Sequence, residues 1–515
     1  MVLLRGATEK KIKGSVSDNH NIIVRKTISE HIMAEKTGNQ VEKAVSEHNP
    51  SCGINRATER EGYYAAVDIG TTTLSIDIYD HDGNYIGGSA ENNAQGKLGS
   101  DVMMRLMHVS EGRQEMLHTM IRDQIYQLIK EILTGDKAEL SEVYCESEQP
   151  GNDRLAQLRK ISVVGNTVMC HLFLNQDTTG LRGVPFHTAY QGSYRLYGKD
   201  LGWTDCSDVE VIVLPGIAAH VGADAAAVFM AEQLWQKDRI QLAIDLGTNA
   251  EILLNCRGQV WVCSAAAGPA FEGKGISCGC RGGTGAVNSV KLNRANGNIL
   301  LNVVPEPVSG KLFPRGICGS GLVDLIAELL ENRLLQSDGY LLSRQEAEEA
   351  GISRILAGRL QESNGERRFI LYDPATDKMT DASGGQARCL YITQQDIRNY
   401  QLAKSAIQTG IALLCQKSDL DVLEIEDCRV AGVFGAFLHL DHAKASGLLP
   451  DIPAENVHFV GNAAGRGAAQ ALFDPDWISC LEKRLQGIQH VELEEQEDFQ
   501  SLFLQNMSLS AWVGR

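Results

Sequence analysis

Between Met116 and Leu133, apolar residues fall at 116, 117, 120, 121, 125, 128, 129, 132 and 133. That three-to-four spacing predicts an amphipathic helix. A second helix is predicted from Thr393, which forms with Asp396 a Thr-x-x-Asp capping signal; its stripe is Ile397, Tyr400, Ala403, Ile407, Ile411 and Leu414. Short strand-like runs at 74–79, 161–164 and 211–214 alternate with helical segments, which points to an α/β fold. Residues 1–61 are polar, mildly basic and without period, and are expected to be a flexible extension. A first lobe is expected over 62–235 and a second over 236–475, with an insertion near 335–390 where acidic helix-like and Gly/Asp/Ser-rich segments mix. The segment 476–515 is acidic and carries no clear pattern.

The lobe division rests on an internal repeat. Ala66-Val-Asp-Ile-Gly-Thr-Thr-Thr73 recurs as Ile244-Asp-Leu-Gly-Thr-Asn-Ala-Glu251, a displacement of 177 residues from Asp68 to Asp245. Each copy continues into a strand-like run, a Gly-containing turn (80–84 and 255–259) and another strand-like run. Both copies therefore predict a three-stranded meander, and two related lobes explain both.

Composition narrows the function. The chain is 43% hydrophobic and 22% charged, ordinary for a globular protein. No run reaches the roughly 18 apolar residues of a membrane span, and the N-terminus does not read as a signal peptide, so no membrane partner and a cytoplasmic location are expected. A net charge of −17 argues against a nucleic-acid partner. The thirteen scattered cysteines read as reduced thiols, and the closest pair, Cys278 and Cys280, has no second pair beside it.

The repeated Asp-x-Gly-Thr turn carries the candidate chemistry. A glycine at a hairpin tip lets backbone amides approach an anion, and the following threonines add hydroxyl donors. An aspartate at the strand end can hold Mg²⁺. Two such hairpins facing each other would grip a phosphate chain from both sides. Asp68 and Asp245 are thus the candidate catalytic and metal-binding residues. Gly70, Thr71, Thr72 and Thr73 are the phosphate contacts of the first hairpin, and Gly247, Thr248 and Asn249 those of the second. Asp224, opening a predicted helix, could face the cleft or simply cap. Gly319, Ser320 and Gly321, feeding an apolar helix, and Gly432 and Gly435, after a strand-like run, are expected to line a nucleoside. A further Gly-rich segment, 461–467, leads into a small-residue helix. Glu272 is expected to contact nucleotide or brace the cleft. This layout matches the ATPase superfamily of actin, sugar kinases and heat-shock chaperones, two ribonuclease-H-like lobes around a nucleotide cleft.

Over residues 62–475 the chain resembles the reductive activators of corrinoid proteins, ATPases of that superfamily. The resemblance rests on Asp68–Thr73, Gly165-Asn-Thr-Val-Met169 followed by His171, Val221-Gly-Ala-Asp224 and Asp245–Asn249. It continues through Ala266–Gly273, Gly316–Gly321, Gln395–Arg398 with Gln401–Lys404, and the Gly435 loop. It implies ATP with Mg²⁺, a corrinoid methyl-transfer protein as partner, and a homodimer. ATP use would drive reduction of cob(II)amide to cob(I)amide. Typical members also carry an iron–sulfur domain. Residues 1–60 hold only Cys52 and the last forty only Cys480, so no cluster is expected in this chain and electrons are expected from a separate donor such as a ferredoxin or reductase. His171 and His442 read as structural rather than corrinoid contacts. A small-molecule kinase and a nucleotide-dependent, chaperone-like regulator are the alternative readings.

Overall fold

The computed structural model describes residues 22–26, 61–135, 151–189, 192–306, 310–363, 365–377, 388–432 and 437–512. Two six-stranded mixed sheets, each with its own core, form two lobes.

The first sheet contains β1 (Tyr63–Ile69), β2 (Thr73–Tyr79), β3 (Tyr85–Asn92), β4 (Leu158–Gly165), β5 (Tyr194–Tyr197) and β6 (Glu210–Val213), in the order β3-β2-β1-β4-β6-β5. β1 is central: antiparallel to β2, parallel to β4. Four of its seven residues in succession, Tyr64 to Val67, are buried, as befits a strand covered on both faces. The predicted amphipathic helix is α1 (Gln114–Thr134), whose buried residues include Leu117, Ile121, Ile125, Leu128 and Ile132. It ends on Gly135 in the left-handed region, φ 81°, where glycine avoids the Cβ penalty.

After α2 (Ala223–Ala231) the second sheet repeats the plan. It is built from β7 (Ile240–Leu246), β8 (Ala250–Cys256), β9 (Gln259–Ala265), β10 (Asp427–Ala431), β11 (Val457–Gly461) and β12 (Ile488–His490), in the order β11-β10-β7-β8-β9-β12. Both predicted meanders are present, and β7 occupies the place of β1, antiparallel to β8 and parallel to β10. Between β9 and β10 lie α3 (Gly319–Glu331) and α4 (Gln394–Lys417). α4 begins at Thr393 with the expected reciprocal cap: Asp396 N–H donates to Thr393 Oγ1 at 3.1 Å, and Thr393 N–H donates to Asp396 Oδ2 at 2.9 Å. Its six stripe residues are all fully buried.

Three segments add to the sequence reading. The insertion carries an antiparallel sheet of Leu360–Ser363, Glu366–Tyr372 and Leu390–Thr393. Ile22–Lys26, within the extension, lies as a strand parallel to Ile299–Val303; the rest of 1–60 is outside the described residues. The helices α5 (Leu440–Ala445), α6 (Ala463–Phe473) and α7 (Trp477–Leu485) follow β10. α6 and α7, expected in the second lobe and the C-terminal segment, bury Ala464, Ala468, Leu472, Trp477 and Leu481 in the core of the first. Small residues permit this: a Cβ on Gly467 would sit 2.6 Å from the Ala227 carbonyl oxygen, so α6 and α2 meet backbone to backbone. The C-terminal segment also adds β12 to the edge of the second sheet and Phe499–Gln505 against α4. No helix among the described residues is long and apolar enough to cross a membrane.

Candidate functional site: the cleft between two hairpins

Asp68 and Asp245 are each the last residue but one of a central strand, so the repeated topology carries both to equivalent strand ends. Ligand sites of open α/β sheets lie at such carboxyl ends. The hairpin tips touch: Thr72 Oγ1 and Thr248 Oγ1 are 3.1 Å apart, both side chains buried.

Each hairpin is held from behind. In the first, Asn93 Nδ2 donates to Gly70 O at 2.8 Å and Asn166 Nδ2 to Thr71 Oγ1 at 2.8 Å. The wholly buried Arg105 donates to Thr71 O. In the second, Thr248 Oγ1 donates to Glu272 Oε1 at 2.7 Å and Gly268 N–H to Thr248 O at 2.8 Å. Glu272 therefore braces the hairpin, while its Oε2 is buried without a hydrogen-bond partner. Neither Gly70 nor Gly247 uses a left-handed conformation. The requirement for glycine is spatial. A Cβ at Gly70 would lie 2.7 Å from Thr73 O, and one at Gly247 3.1 Å from Asn249 O.

Four carboxyl groups share the cleft floor. Burial, then Asp224 and Asp245, raise Asp68 to about 8, with the Asn462 hydrogen bond pulling the other way. Burial and then Asp224 raise Asp245 to about 7. Burial raises Asp224 to about 6, opposed by the Ala225 amide, which donates to it at 2.8 Å. Glu251 is pushed well up by burial and by Asp224 and Asp245. Glu251 is also the direct cross-strand partner of Asp245, so ionising both would set like charges side by side at a cost in stability. Such a donor set is short of positive charge, and a divalent cation held by carboxylates and water fits it. Opposite stand cations. Arg281 donates to Thr73 Oγ1 and, at 2.7 Å, to Asn92 Oδ1, tying a loop of the second lobe to the first hairpin. Lys274 is lowered mainly by burial, with Arg105 and Arg281 adding to the shift against Glu272.

The other predicted residues sit as follows. Thr71, Thr72 and Thr248 are buried; Asp68, Gly70, Thr73, Asp245, Gly247, Asn249 and Glu272 are partly open. Gly319, Ser320 and Gly321 form the buried first turn of α3 rather than a loop before it. Ser320 Oγ donates to Asn288 O at 2.9 Å, and a Cβ on Gly321 would sit 2.2 Å from Val287 O, so these residues pack the helix onto the strand Ala286–Leu292. Gly432 has φ +99°, and a Cβ there would lie 2.6 Å from Leu246 O at the end of β7. Gly435 lies outside the described residues. His171 is wholly buried, with Nδ1 donating to Thr167 O at 2.7 Å and Nε2 accepting from the Ala189 amide at 3.1 Å, an internal role.

Sequence reasoning did not select Glu251, Lys274 or Arg281, and reached Asn462 only as part of the Gly-rich segment 461–467. Glu251 was within reach, since it ends the second copy of the repeat. Arg281 was not, because its loop has no counterpart in the first copy.

Residues 63–237 match the family model described as the RACo middle region, and residues 239–512 the model described as the C-terminal domain of RACo, the ASKHA domain. The chain is 32% identical over 449 residues to the corrinoid activation enzyme RamQ of Eubacterium limosum, covering 87% of this chain and 70% of that protein. It is 24% identical over 390 residues to the [Co(II) methylated amine-specific corrinoid protein] reductase of Methanosarcina barkeri, covering 70% of this chain and 64% of that one. A solved reductive activator for corrinoid, iron-sulfur protein superposes with a TM-score of 0.75 at 28% identity, covering 88% of this chain and 67% of the other. The chain belongs to the RACo family, the reductive activators of corrinoid proteins.

Proposed function

We propose that this chain hydrolyses Mg-ATP in the interlobe cleft and uses the cycle to drive reduction of a corrinoid methyl-transfer protein from cob(II)amide to cob(I)amide, with electrons from a separate donor. The observation that carries the ATPase half is the pair of hairpins meeting at Thr72 and Thr248 above opposed carboxylates. Asp68 and Asp245 would hold Mg²⁺, which supplies charge neutralisation for the phosphates. Thr71, Thr72, Thr248 and Asn249 would bind and orient the phosphate chain, and Arg281 and Lys274 would add positive charge from the second lobe. Glu272 fixes the Thr248 hydroxyl through one carboxylate oxygen, and the other is buried without a hydrogen-bond partner. Catalysis of this kind is positioning and electrostatics, with little covalent work for the protein.

The redox half is a problem of coupling. Each ~59 mV of uphill one-electron transfer lowers the equilibrium about tenfold. Nucleotide can offset this only by binding two lobe arrangements with different affinity, one of which favours the reduced cobalt of the partner. The Thr72–Thr248 and Arg281–Asn92 contacts support this reading, because they join the two lobes and are what a change of lobe arrangement would make or break.

The test is ATP hydrolysis by the full chain, with and without an oxidised corrinoid methyl-transfer protein, following the cob(II)amide spectrum with a low-potential reductant present. Stimulated turnover with loss of the cob(II)amide band is expected. Turnover indifferent to every corrinoid protein tried would overturn the redox half; absence of turnover would overturn both.

A further inference from the structure

Away from the cleft, two histidines and two acids converge between α3 and α5. Asp324 and Glu328 are four residues apart on α3 and so share one face. Both side chains are buried, 0% and 1% exposed. His439 is the residue just before α5, and His442 is three further on, again one face. His439 Nδ1 lies 2.7 Å from Asp324 Oδ2, and His442 Nδ1 lies 2.7 Å from Asp324 Oδ1. One ligand atom from each of the three residues falls within 4.8 Å of the others.

We infer that Asp324, His439 and His442 form a binding site for a borderline divalent metal ion of the zinc class, through two imidazole nitrogens and a carboxylate. Three protein ligands of this kind, with a position left for water, form a recurrent zinc arrangement. A ligating imidazole usually donates its other N–H to a carboxylate, which fixes the tautomer. That partner is present. His442 turns Nε2 toward Glu328 Oε1, 3.5 Å away, and this oxygen is buried with no hydrogen-bond partner. Glu328 Oε2 is already engaged by the Leu292 amide at 2.9 Å, so the orphan is specific to the side facing His442. Glu328 would accept this N–H whether Nδ1 holds a proton or a metal ion; what favours the metal is the convergence of two imidazole nitrogens and a carboxylate within ligand distance of one another. The side chain of His439 is 54% exposed, which provides an entrance for the ion. The ion would join α3 to the start of α5, in place of the direct contacts from the two imidazoles to Asp324.

The experiment uses the full chain, stripped with chelator, then titrated with Zn²⁺ and separately with Co²⁺. Because the chain has thirteen cysteines, Co²⁺ spectra distinguish this site from thiolate sites, which give an intense near-ultraviolet charge-transfer band. The wild type is expected to bind one more equivalent of Zn²⁺ than His439→Ala, and to show a weak visible Co²⁺ band without thiolate charge transfer that His439→Ala lacks. At least a tenfold weaker affinity is expected in that variant. Asp441→Ala, on the same short helix but outside the ligand set, controls for damage to the fold and should bind as wild type. Equal metal content and equal spectra in wild type and His439→Ala would overturn the site, as would no binding by wild type or an equal loss in Asp441→Ala.

Discussion

The two hairpins descend from the same sequence pattern yet are not interchangeable. In the first, four residues, 70–73, separate the paired Ile69 and Leu74; in the second, three, 247–249, separate Leu246 and Ala250. One residue changes what stands opposite the aspartate. Asp68 pairs with Ser75, whereas Asp245 pairs with Glu251. The longer tip carries three threonines and is fastened to Arg105, Asn93 and Asn166. The shorter tip carries one threonine, fastened to Glu272, and concentrates carboxyl groups at its base. A repeated backbone thus presents a hydroxyl-rich side and a carboxylate-rich side to one cleft. Duplication supplies the geometry, and a single-residue difference in turn length supplies the division of labour.

The strongest way to break this contrast is at the aspartates. Asp245→Asn should lower ATP turnover by about 10²–10³-fold with the fold retained, measured as kcat together with circular dichroism; Asp68→Asn should fall in the same range. Normal turnover in Asp245→Asn would remove the second hairpin from the site. Glu251→Gln sharpens the comparison, because the first hairpin has no equivalent acid. It should weaken Mg²⁺ dependence of turnover by about tenfold, and raise the melting temperature in chelator only at alkaline pH, where both carboxyls of the cross-strand pair would ionise and relief of like charge is worth roughly 0.2–1 kcal/mol. An unchanged Mg²⁺ dependence would place the cation with the aspartates alone. Gly432→Ala should destabilise the chain by about 1–3 kcal/mol in urea unfolding, as φ +99° and the Leu246 carbonyl leave no room for a methyl group; Gly247→Ala, with ordinary φ and a 3.1 Å approach, should cost less. The smallest effect is expected from Thr72→Val and Thr248→Val. A double-mutant cycle on nucleotide affinity should show coupling of about 0.5–1.5 kcal/mol, and strict additivity would mean the two hydroxyls do not act together.

Much of this was legible in the linear pattern. The stripe from Ile397 to Leu414, the Thr393 cap and the paired meanders all appear where local periodicity places them, because each depends on neighbours within one or two turns of chain. The candidate phosphate residues were legible for the same reason: the hairpin tip is a local structure, repeated. Gly319 to Gly321 show what spacing leaves open. They read as a Gly-rich stretch feeding a helix N-terminus, and the structure puts them inside the first turn of α3, where Gly321 lets the helix touch Val287; that packing does not test their expected part in lining a nucleoside. A glycine needed for close packing and a glycine needed for a ligand look alike in sequence.

What the chain determines by itself is therefore the fold class, the duplication, and the placing of Asp68 and Asp245 at strand ends. Tertiary structure alone decides that α6 and α7 return to the first lobe, that Arg281 reaches across to Asn92, and that Asp324 meets His439 and His442 from 115 and 118 residues away. The reason is physical. Periodicity and capping report interactions of a few residues' range, whereas the charge balance of a buried site is a sum over groups brought together only after the lobes have packed.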